Sequence, residues 1–384
     1  MNPYLSKINA PASILIADRV REIELKGEKV AALQTGEPCF FTPDYISNAF
    51  NEATQRGYTG YSSSQGIHEL RTELCKYYSR DLKNLIYNEN IIISNGAVHA
   101  IYCLINSIIS QGDEVIIPEP AWPQYKSITI MGGGNPVCIP TLKNVDGKLS
   151  PDELKENITD RTKLIILNNP CNPTGIVYRK NEIISLLEIA KDKNIYILFD
   201  EVYNDLVFDG EDFTSAMSPE IYSKYKENIL YVNSFSKKYA MTGWRVGYSI
   251  LPAKLVKDVL LISQISVTNV NTPAQYAAYI AIRDRKAYQS IYEKMFNLYK
   301  SRWFELSSLL NKKKMQYVYS QGAFYYFIKI EEDCIPFSYN LLNKEKIAVV
   351  PGNSYGDNYS NYIRISFSVD EFSYNQLRKW LEVN

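Results

Sequence analysis

Lys237 lies in Ser234-Phe235-Ser236-Lys237-Lys238, just after the apolar run Ile229-Leu230-Tyr231-Val232, and Arg245 follows eight positions later in Gly243-Trp244-Arg245-Val246-Gly247. A lysine held at the end of a buried strand can condense with an aldehyde to a Schiff base, and hydroxyls with an arginine nearby can hold a phosphate. An aldehyde and a phosphate on one small molecule point to pyridoxal phosphate.

In a parallel sheet ligands gather beyond the carboxyl ends of the strands, so the polar residues after each apolar run are the ones that count. After Leu164 to Leu167 comes Asn168-Asn169-Pro170-Cys171-Asn172-Pro173-Thr174-Gly175, and after Ile195 to Phe199 comes Asp200-Glu201-Val202-Tyr203. After Ile91 to Ile93 comes Ser94-Asn95-Gly96-Ala97-Val98, a small-residue turn opening a helix whose free amide hydrogens can bind phosphate. Asp200, against a pyridine nitrogen, would keep that nitrogen protonated and make the ring an electron sink. Asn172 and Tyr203 can hydrogen-bond the phenolic oxygen, and Trp122, in Glu119-Pro120-Ala121-Trp122-Pro123, offers the ring a flat face, with Tyr125 a further pocket candidate. Lys237, once displaced by an incoming amine, becomes the base that moves a proton from the donor's α-carbon. Arg364 presents two parallel donors to a substrate carboxylate, and Gly36, in Gln34-Thr35-Gly36-Glu37-Pro38, allows close backbone approach to the same group. Each segment by itself reads more readily as a solvated turn or a helix start than as part of a cofactor site. Their joint occurrence is what turns the reading toward a cofactor site.

The elements that must position these residues follow from hydrophobic pattern. The runs at 91–93, 115–117, 164–167, 195–199 and 229–232 are continuous rather than alternating, as in strands buried on both faces of a mostly parallel sheet. Helical patterns lie between them, at Ala97 to Ser110 and Glu182 to Lys193, and Ser150-Pro151-Asp152-Glu153 is a helix start with a hydroxyl cap, a first-turn proline and a glutamate three on. The predicted class is α/β, with the central sheet covered by helices. After about residue 280 come the long charged and aromatic stretch Lys286 to Leu310 and the strand-like Phe324 to Ile328 and Tyr362 to Phe367. We therefore expect three divisions: 1–45 as an N-terminal arm and part of a small domain, 46–280 as a large cofactor-binding domain, and 281–384 as a small α+β domain. Met131-Gly132-Gly133-Gly134-Asn135 reads as a turn.

Composition removes several alternatives. Forty-two basic and forty-two acidic residues leave no net field for nucleic acid or an anionic membrane, and no stretch approaches the length of a spanning helix. Six cysteines without a Cys-x-x-Cys pair, and an N-terminus without a signal-peptide core, suit the cytoplasm. Two histidines, His68 and His99, supply neither a metal site nor a Ser-His-Asp triad, so no metal is expected; His99 is the one more inclined to line the pocket. Cys171 sits within the Asn-rich loop, near where the ring would lie.

Taken in order, eight segments resemble the class I and II aminotransferase family of fold-type I pyridoxal-phosphate enzymes: Thr35 to Pro38, Tyr61 to Arg71, Gly96 to Ala100, Glu119 to Trp122, Asn168 to Gly175, Phe199 to Tyr203, Ser234 to Gly247 and Tyr362 to Phe367. The resemblance implies Lys237 as the Schiff-base lysine and Asp200 as the ring-nitrogen partner. It implies a phosphate site made of Ser234, Ser236, Arg245 and the amides of Ala97 and Val98. It further implies cis peptides before Pro120 and Pro173, and a homodimer with shared sites in which Tyr61 reaches the neighbouring subunit's phosphate. The reaction expected is amino-group transfer between an L-amino acid and a 2-oxo acid; a lyase, a cyclase or an oxygen-using enzyme on the same cofactor stays open. Two positions depart from relatives. Where prephenate- and aspartate-using members carry a lysine for the substrate's distal carboxylate, this chain has Val98, so aromatic or uncharged donors are expected over acidic ones. Lys238, where relatives commonly have a small or polar residue, either depresses the neighbouring amine's pKa or points to solvent.

Overall fold

The five continuous apolar runs form strands because successive residues feed two different cores. Ile165 and Leu167 pack on one face and Leu164 and Ile166 on the other; Ile91 and Ile93 oppose Ile92 in the same way. The computed structural model, which describes residues 3–8, 12–80, 82, 85–210 and 213–383, arranges them in a seven-stranded sheet. In chain order its strands are β1 (Ile91–Ser94), β2 (Glu114–Glu119), β3 (Asn135–Pro140), β4 (Thr162–Asn168), β5 (Tyr196–Asp200), β6 (Ile229–Ser234) and β7 (Gly247–Ile250). Their spatial order is β1-β7-β6-β5-β4-β2-β3. The pairs β2–β3, β2–β4, β4–β5 and β5–β6 are parallel, and β7 alone runs against both its neighbours, β1 and β6. Strands β3 and β7 are additions to the expected set. The 131–135 turn leads straight into β3, most of whose residues are only partly buried, and in β7 Gly247 and Ser249 separate the apolar Tyr248 and Ile250. Neither presents a long apolar run to the eye.

The antiparallel β7 matters for the site. Its first residue, Gly247, pairs with Ser94 at the end of β1 and Ser234 at the end of β6. The chain before β7, which carries Arg245, thus arrives at the same edge as the chain after β1 and β6.

The expected helices are present at Gly96–Ile108, Lys180–Asp192 and Arg285–Lys312. The capping box at Pro151–Asn157 forms as its sequence requires: Ser150 Oγ accepts from the Glu153 amide at 3.2 Å and Glu153 Oε2 from the Ser150 amide at 3.0 Å. A second sheet contains β8 (Tyr317–Val318), β9 (Tyr325–Lys329), β10 (Val350–Pro351) and β11 (Tyr362–Ser366), ordered β10-β11-β9-β8 and antiparallel throughout. Residues Ala31–Ala32 of the N-terminal segment pair in parallel with Ile347–Ala348; within that segment residues 1, 2 and 9–11 lie outside the described ones. The second sheet's core takes in Val202, Tyr203, Leu206 and Phe208, which the sequence division assigns to the other domain. The helix Arg285–Lys312 spans both cores, with Tyr288 in the first and Met295, Tyr299, Trp303, Leu306 and Leu310 in the second. Among the described residues no helix is long and apolar enough to cross a membrane.

Candidate active site

At the shared edge of β1, β4, β5, β6 and β7 lies a cavity of 540 Å³. Its walls include Gly36, Ala97, Val98, Trp122, Asn172, Asp200, Tyr203, Ser234, Ser236, Lys237 and Arg245, so the fold gathers these eleven candidates from six separate stretches of chain. The single helical turn Phe235–Lys238 follows β6 without a break and carries Lys237 into the cavity, where its ammonium donates to the carbonyl of Gly36. Burial pulls the Lys237 pKa down to about 8; Arg364 and Arg245 push the same way, against Glu37 and Asp200. A lysine so placed holds roughly a tenth of its amine in the neutral, nucleophilic form at pH 7, far more than an ordinary lysine does.

Asp200 closes β5 opposite Asn168 of β4. Burial raises its pKa to about 6, although Oδ2 accepts from the Tyr125 hydroxyl at 2.6 Å, Oδ1 accepts from the Val202 amide at 3.3 Å, and Lys237 attracts it. These hydrogen bonds leave a carboxylate held at a fixed place in a largely apolar surround, ready for a cationic nitrogen. Tyr125, a minor candidate from sequence, is therefore the group that orients Asp200. Trp122 stands edge-on to it, with ring centroids 5.2 Å apart and an interplanar angle of 78°.

The opposite end of the cavity is cationic. Arg245 takes a left-handed backbone conformation, φ 59°, and its guanidinium donates to the Thr242 carbonyl at 2.8 Å and the Asn95 carbonyl at 3.4 Å. A Cβ on Gly96 would lie 2.2 Å from Arg245 Nη2, and one on Gly247 would lie 2.6 Å from the Gly96 carbonyl carbon and 2.7 Å from the Ala97 nitrogen. Only glycine at both positions lets the arginine, the start of the helix Gly96–Ile108, Ser234 at the end of β6 and Ser236 in the turn after it close on one point. A helix start, an arginine and two hydroxyls are the donor set of a phosphate site. With the amine, the carboxylate and the Trp122 ring, these residues fit pyridoxal phosphate.

Arg364, on β11, lies just outside the cavity wall. It is buried at 5% exposure, Nη1 donates to Asn172 Oδ1 at 3.3 Å, Nη2 donates to the Gln34 carbonyl at 2.5 Å, and Nε has no hydrogen-bond partner among the described residues. Among the described residues it forms no ion pair. Its guanidinium rests over the Tyr325 ring at 4.4 Å. Tyr325 also meets the Tyr203 hydroxyl at 2.9 Å and would stand 2.8 Å from a Cβ on Gly36. Sequence reasoning passed over Tyr325 because its run, Phe324 to Ile328, reads simply as a buried strand.

Four further residues land away from the cavity. Tyr61 is 92% exposed and does not line the cavity of its own chain. His99 does not line it either: Nδ1 accepts the Asn95 amide at 3.2 Å, leaving Nε2 to donate to Ser266 Oγ at 2.7 Å, so the imidazole caps the helix from outside. Burial lowers its pKa. Cys171 points to the far side of its loop, with Sγ 3.7 Å from the Pro120 carbonyl, into a separate space of about 30 Å³. Lys238 is only partly exposed and is not among the charges that shift the Lys237 amine; it pairs with Asp205 at 2.8 Å behind the turn. Peptides before Pro120 and Pro173 are cis, and so is the one before Pro170, which the resemblance did not suggest.

The sequence profile described as "Aminotransferase class I and II" matches residues 28–379. The chain belongs to this family. It is 34% identical over 375 residues to the probable aspartate/prephenate aminotransferase of Aquifex aeolicus, covering 96% of this chain and 94% of that one. Among solved structures, the Thermus thermophilus aspartate aminotransferase with maleate superposes with a TM-score of 0.92 at 30% identity, covering 100% of this chain and 99% of that one. A Methanococcus jannaschii protein, described as similar in its active site to kynurenine aminotransferases, gives 0.88 at 32% identity over 100% and 98%. This chain is thus a fold-type I aminotransferase that uses pyridoxal phosphate.

Proposed function

We propose that Lys237 is the amine that carries the cofactor and then shuttles the donor's α-proton, with Asp200 at the ring nitrogen and Asn172 and Tyr203 at the phenolic oxygen. Ser234, Ser236, Arg245 and the amides of Ala97 and Val98 then take the phosphate, Trp122 takes the ring face, and Arg364 with Gly36 takes the substrate's α-carboxylate. When bound, pyridoxal phosphate supplies an aldehyde for the donor's amine and a ring that accepts electron density. The observation that carries this reading is the buried Lys237 amine, in no ion pair among the described residues, sharing one cavity with Asp200 and the Gly96–Arg245 cradle. The buried guanidinium of Arg364, without a carboxylate, supports its assignment: such a charge is costly until an anion arrives.

The preferred donors in this reading are aromatic or uncharged amino acids. Val98 presents an apolar side chain to the cavity, and the cationic residues of the wall are Lys237 and Arg245, both assigned to the cofactor. None is left in the wall for a distal carboxylate. Mixing the loaded protein with single amino acids and following loss of its visible absorption tests this. Phenylalanine or tyrosine should exceed aspartate by roughly tenfold or more in rate constant over half-saturation, the range one well- or ill-matched side-chain group commands. A preference for aspartate overturns the donor assignment while leaving the chemistry intact.

The same reading takes the working unit as a homodimer in the cytoplasm, divided at 45/46 and 280/281. The exposure of Tyr61, Val98, Tyr102, Leu261 and Ile265 supports the dimer, and six free cysteines suit a reducing compartment. Sedimentation at micromolar concentration decides between one chain and two.

A further inference from the structure

Behind the turn that carries Lys237 is a second polar centre that transamination does not itself require. In a helical turn successive side chains diverge by about 100°, so Lys238 leaves the turn on the side opposite the cavity. It enters a cleft of about 20 Å³ lined by Tyr77, Tyr78, Asn204, Asp205, Asn233, Tyr239 and Tyr248. Its Nζ is 2.8 Å from Asp205 Oδ1, and 5.6 Å and 5.9 Å from the ring centres of Tyr77 and Tyr239. A further charge nearby is Arg285, whose guanidinium lies 4.4 Å from the Tyr77 ring centre.

Asp205 lies five residues beyond Asp200, on a segment folded tightly by the Asn204 amide on the Glu201 carbonyl at 3.1 Å and the Leu206 amide on the Tyr203 carbonyl at 2.9 Å. The ion pair therefore joins the segment that places Asp200 and Tyr203 to the turn that places Lys237. A second tie runs parallel to it. On the helix Arg285–Lys312, Tyr288 donates to the carbonyl of Lys238 and Tyr292 donates to the carbonyl of Asp205 at 2.8 Å. Tyr288 and Tyr292 are one helical turn apart on one face, so a single rigid element fixes the backbone of both partners. A half-buried ion pair of this kind is weak evidence for added stability; its value lies in fixing one arrangement.

We propose that Lys238 is a positioning residue: through Asp205 it sets, from outside the cavity, where the Lys237 amine stands relative to Asp200 and Tyr203. The inference rests on the assignment of Lys237 and Asp200 made above. Pairing to Asp205 also neutralises the second ammonium, which is why adjacent lysines coexist here without mutual repulsion.

The test uses the full chain loaded with pyridoxal phosphate. In Lys238→Met and, separately, Asp205→Asn, the pH midpoint of the visible absorption band is expected to move by about half a unit or more. The half-reaction rate constant should fall roughly ten- to a hundredfold, with half-saturation changed less than about threefold, because a misplaced amine slows proton transfer more than it weakens binding. Lys238→Arg, which keeps the cation, should restore the midpoint. Thermal denaturation of the cofactor-free proteins separates this from lost folding. A folded Lys238→Met with unchanged midpoint and rate constant overturns the proposal, as does a Lys238→Arg protein shifted as far as the methionine variant. Lys237→Ala, reduced with borohydride, guards the assignment beneath it. Covalent retention of cofactor there would sink the Lys237 reading itself, whereas loss of retention beside an unaltered Lys238→Met sinks the positioning role alone.

Discussion

Lys237 and Lys238 are neighbours in the chain, yet one faces a 540 Å³ cavity with no ion-pair partner among the described residues and the other a cleft of about 20 Å³ where Asp205 holds it at 2.8 Å. Burial opposes charge at both. For Lys237 the nearby guanidiniums of Arg364 and Arg245 add to that effect and the pKa falls to about 8. For Lys238 the Asp205 carboxylate and the tyrosines around it more than offset burial, and the pKa rises above the ordinary lysine value. The difference teaches that the chemical use of a side chain depends on which wall of a turn it leaves by. The amine in the cavity is left without an ion-pair partner among the described residues; the one behind the turn is given its own.

Substitutions on the cavity side should break this contrast hardest. Lys237→Ala removes the proposed proton shuttle, and turnover should drop by roughly 10⁴, read in a coupled oxo-acid assay. Asp200→Asn keeps the shape and deletes the charge; a loss of about 10² to 10³ is expected in the half-reaction. The lowered pKa of Lys237 has a direct consequence in the cofactor-free protein. Its neutral fraction grows with pH and saturates above about 8, so trapping of a small aldehyde should speed up about tenfold per unit below that value and level off above it. Levelling nearer 10.5, the ordinary value, would show that burial does not act on this amine. Tyr325→Phe removes the hydroxyl that meets Tyr203 while keeping the ring under Arg364, and one net hydrogen bond of about 1 kcal/mol corresponds to roughly a fivefold slower half-reaction. Ser150→Ala is the outlying control: the capping box should cost about 1 kcal/mol in denaturant unfolding and leave turnover unaltered.

Much of the sheet was legible in the sequence because strands β1, β2, β4, β5 and β6 are buried on both faces and so write themselves as unbroken apolar runs. Strand β3, whose first residue is exposed and most of the rest half-buried, and β7, whose Gly247 and Ser249 break up its apolar residues, carry no such mark. The candidate site was legible wherever a candidate residue ends a strand or follows one, as Asp200 does in the first way and Gly96, Asn172 and Lys237 in the second. It was illegible where the deciding partner comes from elsewhere in the chain, as with Tyr125 beneath Asp200 and Tyr325 beside Tyr203.

Residue type and order thus determined by themselves that an amine, a carboxylate, an arginine and a helix start would meet at one sheet edge, because strand, turn and cap preferences act over a few residues. Which way each side chain faces was decided only by the tertiary structure. His99 turned outward to cap its helix and Cys171 turned to the far side of its loop. Lys238 turned back to Asp205 because that carboxylate and the two tyrosines that frame it come from segments 33 and about 50 residues away. Contacts over such separations are set by how the sheets and the helix Arg285–Lys312 pack, and local sequence carries no record of them.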